Sequence, residues 1–173
     1  MRRLVPLALA ALLTIGLAAP VAAVKPDIFP NEPISQSFDA ECGFDVELQD
    51  YFARGTVKVF QPNKDGEFRL ASNGGFRSIL TSADSGKSID VSFFGRIKVR
   101  FDAAGNQTLR QSGAALWWFA TAADAAMFGL TPGVYILDGH IRVRLNADSV
   151  AIAPAIMKNV TVRDLCAELS PDE

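Results

Sequence analysis

Apolar and polar residues alternate along much of this chain, and this alternation is the strongest constraint on its fold. Apolar residues occupy every second position over residues 44–48, 89–93, 97–101 and 141–145. A period of two places successive side chains on opposite faces of a strand, so it is typical of half-buried strands in antiparallel sheets. The pattern therefore predicts an all-β fold.

A short unit that begins with glycine occurs three times within these strands. The copies are Gly55-Thr-Val-Lys-Val, Gly95-Arg-Ile-Lys-Val and Gly139-His-Ile-Arg-Val. Glycine inside a strand pattern usually marks a bulge or a sharp bend. The pattern predicts six long strands at 43–61, 66–82, 87–101, 106–120, 134–146 and 149–165. We expect their bends near Gly55, Gly74-Gly75, Gly95, Gly113, Gly139 and Pro154.

Long strands with bends near their middle can curl a small sheet until it closes. We therefore predict a small closed antiparallel β-barrel of long bent strands. The threefold repeat also fits a β-trefoil, which is the alternative. Residues 121–133 interrupt the alternation, because Thr121 and Asp124 form a helix-start signal and Gly129 can end a helix. This segment predicts one short helix inside a loop.

The ends of the chain differ from the patterned region. Residues 1–23 combine a basic start, an apolar run and small residues at a cleavage site, so they predict a signal peptide and a secreted or extracytoplasmic protein. The apolar run is too short to span a membrane. Residues 24–41 predict an extended N-terminal arm, residues 42–169 a single β domain, and residues 170–173 a C-terminal tail.

Two cysteines and a mildly acidic composition narrow the possibilities further. In an exported chain an isolated pair usually forms a disulfide, which predicts a Cys42–Cys166 bond. Without Arg2 and Arg3 the 17 basic residues fall to 15 against 19 acidic ones, a net charge of −4. That balance argues against nucleic acid and against anionic membrane surfaces as partners.

The sequence contains few residues that could form a catalytic site. His140 is the only histidine, and it occupies a polar position on a strand, so we predict no histidine-based triad. We also predict no metal site and no cofactor. Arg96, Lys98 and Arg100 share one strand face, and Arg142 and Arg144 share another with His140. These stripes predict either an anionic-ligand patch or, as we favour here, a polar exterior paired with Asp and Glu on neighbouring strands.

Aromatic residues are densest at Trp117-Trp118-Phe119. Alternation sends Leu116 and Trp118 to one face and Trp117 and Phe119 to the other, which indicates a strand covered on both sides or an exposed platform. Plain packing against the following loop is one interpretation. The other is a lidded apolar pocket, and the candidate ligand-binding residues are Trp117, Trp118, Met127 and Phe128.

Three stretches, at residues 41–46, 81–88 and 162–169, resemble secreted actinobacterial β-domain proteins of unknown function. The resemblance implies secretion, one disulfide and a β fold, and it implies no catalytic residues. Together with the residues above, it leads us to predict a secreted, non-catalytic binding protein for a small apolar or amphipathic ligand. The alternative is a protein-interaction module, with an envelope protein as partner, that uses an outer sheet face and has no pocket.

Overall fold

The computed structural model describes residues 25–38 and 42–170, which form one antiparallel sheet and two short helices. The strands are β1 (Asp27–Pro30), β2 (Ser35–Phe38), β3 (Val46–Phe60), β4 (Phe68–Ser82), β5 (Ser88–Phe101), β6 (Gln107–Phe119), β7 (Gly133–Leu145) and β8 (Ile156–Asp164). The helices are α1 (Ala122–Ala126) and α2 (Leu165–Leu169). From β3 to β8 each strand pairs with the next one along the chain, and β1 and β2 both pair with β3. The predicted all-β fold is confirmed.

A row of glycines crosses the sheet at right angles to the strands. The residues paired across β3 to β7 in this row are Gly55, Gly74, Gly95, Gly113 and Gly139. Five of the six predicted bends thus fall in a single line. The sixth, near Pro154, lies off this row: the chain bends at Ala153, between the Leu145–Ala151 bridge and the start of β8 at Ile156. The irregular pairing of β8 with β7 falls instead beside Asn159, whose φ is 52°.

The glycine row divides the sheet into two halves of different construction. In the half with residues 95–101 and 107–113, β5 and β6 pair, so β3 to β8 lie side by side. In the other half, the described chain pairs residues 88–94 of β5 with β4 alone and residues 114–119 of β6 with β7 alone. The sheet therefore separates there into two layers.

Two hydrophobic cores follow from this division. The first core contains Val99, Phe101, Leu109, Phe119, Ala125, Tyr135, Leu137, Ile141, Val143 and Leu145. The second core lies between the two layers and contains Phe38, Val46, Leu48, Leu80, Val91, Val134, Ile136, Leu165 and Leu169. Strands β6 and β7 contribute to both cores, so they are covered on both faces.

The predicted closed barrel is wrong, and so is the β-trefoil. The sheet runs from β1 to β8 as an open meander, and β8 pairs only with β7 among the described strands. The disulfide between Cys42 and Cys166 is confirmed, with the two Cα atoms 5.1 Å apart. Its cysteines meet because the two layers stack face to face around the second core, rather than because the first and last strands pair.

The sequence repeat corresponds to a repeated hairpin. Strands β3–β4, β5–β6 and β7–β8 are joined by turns in which one side-chain oxygen accepts two backbone N–H groups. The acceptors are Asn63 for Asp65 and Glu67, Asp102 for Ala104 and Asn106, and Asn146 for Asp148 and Val150, at 2.9–3.0 Å. Such side-chain turns fix the hairpin register locally.

The smaller elements agree with the sequence in part. The predicted short helix is α1, whose Asp124 N–H donates to Thr121 Oγ1 at 3.2 Å. In the described part of the predicted arm, residues 25–38, two short strands pair with β3. Helix α2 was not predicted. The predicted signal peptide lies outside the described residues, and within residues 25–38 and 42–170 no helix is long and apolar enough to cross a membrane.

A buried carboxylate holds β2 near β3. Asp50 is 8% exposed and accepts hydrogen bonds from the Ser78 hydroxyl and, at 3.1 Å, from the Ile34 N–H. Burial raises the pKa of Asp50 above its ordinary value, and the two hydrogen bonds oppose that shift. Ionised Asp50 therefore costs folding free energy.

We expect the unfolding free energy of Asp50→Asn to rise relative to that of the parent as the pH rises from 3 to 7. A raised carboxyl pKa favours the folded state below the unfolded pKa of about 3.9, and this contribution is lost as the pH passes the folded pKa. Asparagine does not ionise, so the variant escapes that loss. Urea unfolding of both proteins across the pH range measures the difference, and a constant difference would contradict the assignment.

Candidate functional site

The aromatic residues of β6 alternate between the two cores, as predicted. The Trp117 ring lies 5.0 Å from the Phe128 ring beside the first core, and its Nε1 donates to Gln111 Oε1 at 2.6 Å. The Trp118 ring lies 5.3 Å from the Phe38 ring in the second core. These contacts place the two tryptophans on opposite faces of the strand.

The candidate apolar ligand residues are therefore brought together only in part. Trp117 and Phe128 are in contact, Trp118 faces the other way, and the Met127 side chain is half-buried at the end of α1. Two surface depressions of the domain are lined by other residues, one beside the disulfide and one on the half of the sheet in which β5 and β6 pair. A ligand site at Trp117, Trp118, Met127 and Phe128 stays a prediction.

Cationic side chains gather on the outward face of the half-sheet that pairs β3 to β8. We call this surface the basic face. It consists of Lys58, Arg69, Arg96, Lys98, Arg100, Arg110, Arg142, Arg144 and Lys158, with the imidazole of His140 among them. The residues between them along the strands, such as Val99 and Val143, point into the first core.

Strand register places these cations in rows. Lys98, Arg110 and Arg142 are directly opposite one another on β5, β6 and β7. In the next row towards the glycines, Arg96 and Lys158 flank Ser112 and His140. In a third row, Arg100 and Arg144 flank Thr108. Neighbouring strands are about 4.8 Å apart and alternate residues about 6.7 Å apart, so the three rows cover roughly 13 by 24 Å.

A depression of about 560 Å³ lies at the centre of the basic face. Its lining includes Arg96, Lys98, Arg110, His140, Arg142 and Lys158, with Ser112, Gln111, Ile141 and Ile156. Guanidinium and ammonium groups donate to carboxylate, sulfate or phosphate oxygens, and guanidinium groups can do so in pairs. The depression can therefore hold an anionic group.

The expected pairing of these stripes with neighbouring acidic residues is wrong except at one position. Arg100 contacts Glu67 at 2.6 Å, and its hydrogen bond lowers the pKa of Glu67. Within residues 25–38 and 42–170, the other cations of the face make no ion pair with a carboxylate. The reason is register, because none of the residues directly opposite them is a carboxylate: Arg96 lies opposite Asn73 and Ser112, and Lys98 lies opposite Ala71 and Arg110.

This arrangement costs stability. Like charges directly opposite on neighbouring strands are unfavourable, and Lys98, Arg110 and Arg142 form such a row. Unfavourable local choices of this kind are expected where a surface binds something. The sequence does carry a signal for this face, since the fourth residue of the glycine unit is basic in all three copies: Lys58, Lys98 and Arg142.

The gathering of the cations on one face also changes the argument from net charge. A protein's attraction for an anionic surface depends on the field of the side that approaches it. A small negative total charge therefore does not cancel, at short range, the attraction of a face that carries nine cations and one paired carboxylate. The exclusion of anionic membrane surfaces rested on the total alone. Within the described part of the chain, no cluster of three His, Cys, Asp or Glu side chains could hold a metal ion.

A scan against protein-family models and searches of curated proteins and of solved structures gave no match. The resemblance to secreted actinobacterial β-domain proteins of unknown function therefore stays a prediction.

Proposed function

We propose that this chain is an exported, non-catalytic binding protein that holds an anionic partner on its basic face. The observation that carries the proposal is the row Lys98–Arg110–Arg142, in which three cations stand side by side without a carboxylate. An anionic partner would relieve their repulsion and gain charge-assisted hydrogen bonds. This use of an outer sheet face corresponds to the interaction module that the sequence offers as an alternative.

Export is supported by two independent features. The pattern of residues 1–23 is that of a signal peptide. The Cys42–Cys166 disulfide closes most of the domain into one loop, and such bonds persist in oxidising compartments. An extracytoplasmic location is compatible with both.

An apolar ligand near Trp117 has weaker support than an anionic one. The indole N–H of Trp117 is already bonded to Gln111, and its ring packs against Phe128. A small ligand at this place would have to displace those contacts. The basic face needs no such rearrangement, since all its cations except the half-buried Lys58 are exposed.

We expect Arg110→Gln to bind a soluble polyanion more weakly while folding more stably than the parent. Loss of one cation near an anionic partner costs about 1 kcal/mol of binding, or about fivefold in affinity. Relief of repulsion from Lys98 and Arg142 gains about 0.2–1 kcal/mol of folding stability. Titration with dextran sulfate and urea unfolding measure the two effects.

Arg77→Gln is the matched control, because Arg77 is exposed on β4 beyond the glycine row and away from the basic face. It should leave dextran sulfate affinity unchanged. Binding by the parent should weaken as salt is added, since the interaction is between exposed charges. Equal losses in Arg77→Gln and Arg110→Gln, or no binding by the parent at low salt, would contradict the proposal.

A further inference from the structure

An aliphatic stripe borders the basic face along its β8 edge. Leu145 and Ala151 pair across the strands, and both pack in or against the first core. Their neighbours therefore point the other way, which places Ile152 opposite Arg144 on the side of the basic face. The Ile152 N–H donates to the Arg144 carbonyl at 3.0 Å, in agreement with this register.

Two more aliphatic residues continue the stripe. Val150 lies opposite Asn146, whose N–H donates to its carbonyl at 2.8 Å, and Ile156 lies opposite Arg142 on β7. Val150, Ile152 and Ile156 are 56%, 50% and 52% exposed. Single exposed aliphatic side chains are common on protein surfaces, but three in line beside a cationic face form a patch.

We propose that the basic face and this aliphatic stripe together dock on an anionic phospholipid bilayer. The inference rests on the proposed function and names its partner. Cations of the face would lie against lipid phosphates, and Val150, Ile152 and Ile156 would enter the boundary between headgroups and acyl chains. Charge complementarity alone fits any polyanion, whereas exposed aliphatic side chains gain free energy only from an apolar phase.

The stripe lies where a planar surface can reach it. β8 is the last strand of the sheet and pairs with β7 alone in the described chain, so the border of the face is open on that side. The central depression is lined by Ile156 as well as by Arg142 and Lys158. A headgroup phosphate in the depression would therefore place its acyl chains beside an aliphatic side chain.

The test compares bilayers with a soluble polyanion, using the chain from Val24, which contains every described strand and helix. Vesicles of phosphatidylcholine alone and vesicles that also contain phosphatidylglycerol are sedimented with the protein. We expect binding to the second kind only. The double variant Val150→Ser with Ile152→Ser, two residues of the stripe that do not line the depression, should lose about tenfold of its vesicle affinity and keep its affinity for dextran sulfate.

Ile79→Ser is the matched control, since Ile79 is an exposed aliphatic residue on β4 in the other half of the sheet. It should bind vesicles as the parent does, and thermal unfolding should show that all variants fold. Unchanged vesicle binding by the double variant, or binding to dextran sulfate but not to vesicles, would overturn the bilayer inference and leave the proposed function standing. Failure to bind either probe would overturn both. If inorganic phosphate displaces dextran sulfate from the protein as strongly as vesicles do, the ligand is a free anion and the bilayer inference is overturned.

Discussion

Replacing Gly113 with alanine should destabilise the domain by about 3–5 kcal/mol, a large part of the stability of a chain this size. Gly113 has a φ of 82°, which L-residues rarely adopt, and an added Cβ would lie 2.7 Å from the Phe94 carbonyl oxygen. That carbonyl belongs to β5 at the point where β5 leaves β6. Because the obstacle is backbone, relief would require the two layers to shift. Urea unfolding with the disulfide intact measures the loss.

Substitutions at two other glycines separate the cost of the positive φ from the cost of the close backbone contact. Gly86 has a φ of 69° but no described heavy atom within 4 Å of an added Cβ, so Gly86→Ala should cost only about 1 kcal/mol. Gly95 lies in the glycine row without a positive φ, and its Cβ would lie 2.6 Å from the Ala114 carbonyl oxygen. Gly95→Ala should therefore fall between the two. Equal tolerance of all three changes would mean that the row does not govern how the layers separate.

Loss of the disulfide should have the second large effect. Cys42 and Cys166 are 124 residues apart in sequence, and a cross-link over such a loop restricts the unfolded chain by about 4–5 kcal/mol in the chain-entropy model. Cys42→Ser with Cys166→Ser should lower the urea midpoint accordingly. Reduction of the parent by a thiol should produce the same shift.

The cysteine substitutions need a control for packing, because Cys166 lies in α2 between two fully buried leucines, Leu165 and Leu169. Cys166→Ala alone and the double alanine variant should be equally unstable, since either one removes the same bond. Two titratable thiols in the native, unreduced protein would contradict the bond. So would an unchanged midpoint after reduction.

Strand positions could be predicted closely because alternation reports directly which residues face a core. The predicted strands at 66–82 and 87–101 correspond to β4, Phe68–Ser82, and β5, Ser88–Phe101. Alternation does not report which core a residue faces. Val91 and Val99 share one face of β5, yet Val91 packs in the second core and Val99 in the first. The change from one core to the other along a strand does not alter the period of two. The sequence pattern therefore predicts a single closed barrel instead of two cores.

The sequence shows the basic residues of the candidate site as stripes on single strands. Whether these residues are paired with carboxylates depends on the register between strands. Arg96, Lys98 and Arg100 are evidently outward, whereas their lateral neighbours are set by hairpin turns many residues away. Two carboxylates close to this stripe in sequence, Asp90 and Asp102, are not available to it. Asp90 lies beyond the glycine row, where it accepts from Tyr51, and Asp102 is occupied by its own turn. Helix α2 escaped prediction because five residues are too few to establish a helical period.

An open sheet is prone to aggregation, because a free edge strand can pair with the edge strand of another molecule. β8 is such an edge, and its features oppose recruitment. Pro154 precedes it, Lys158 places a charge on it, and the left-handed backbone of Asn159 interrupts its regular hydrogen-bonding line. A bent, charged edge is a poor template for a second chain. The irregularity at Asn159 thus opposes edge-to-edge pairing at the border of the basic face.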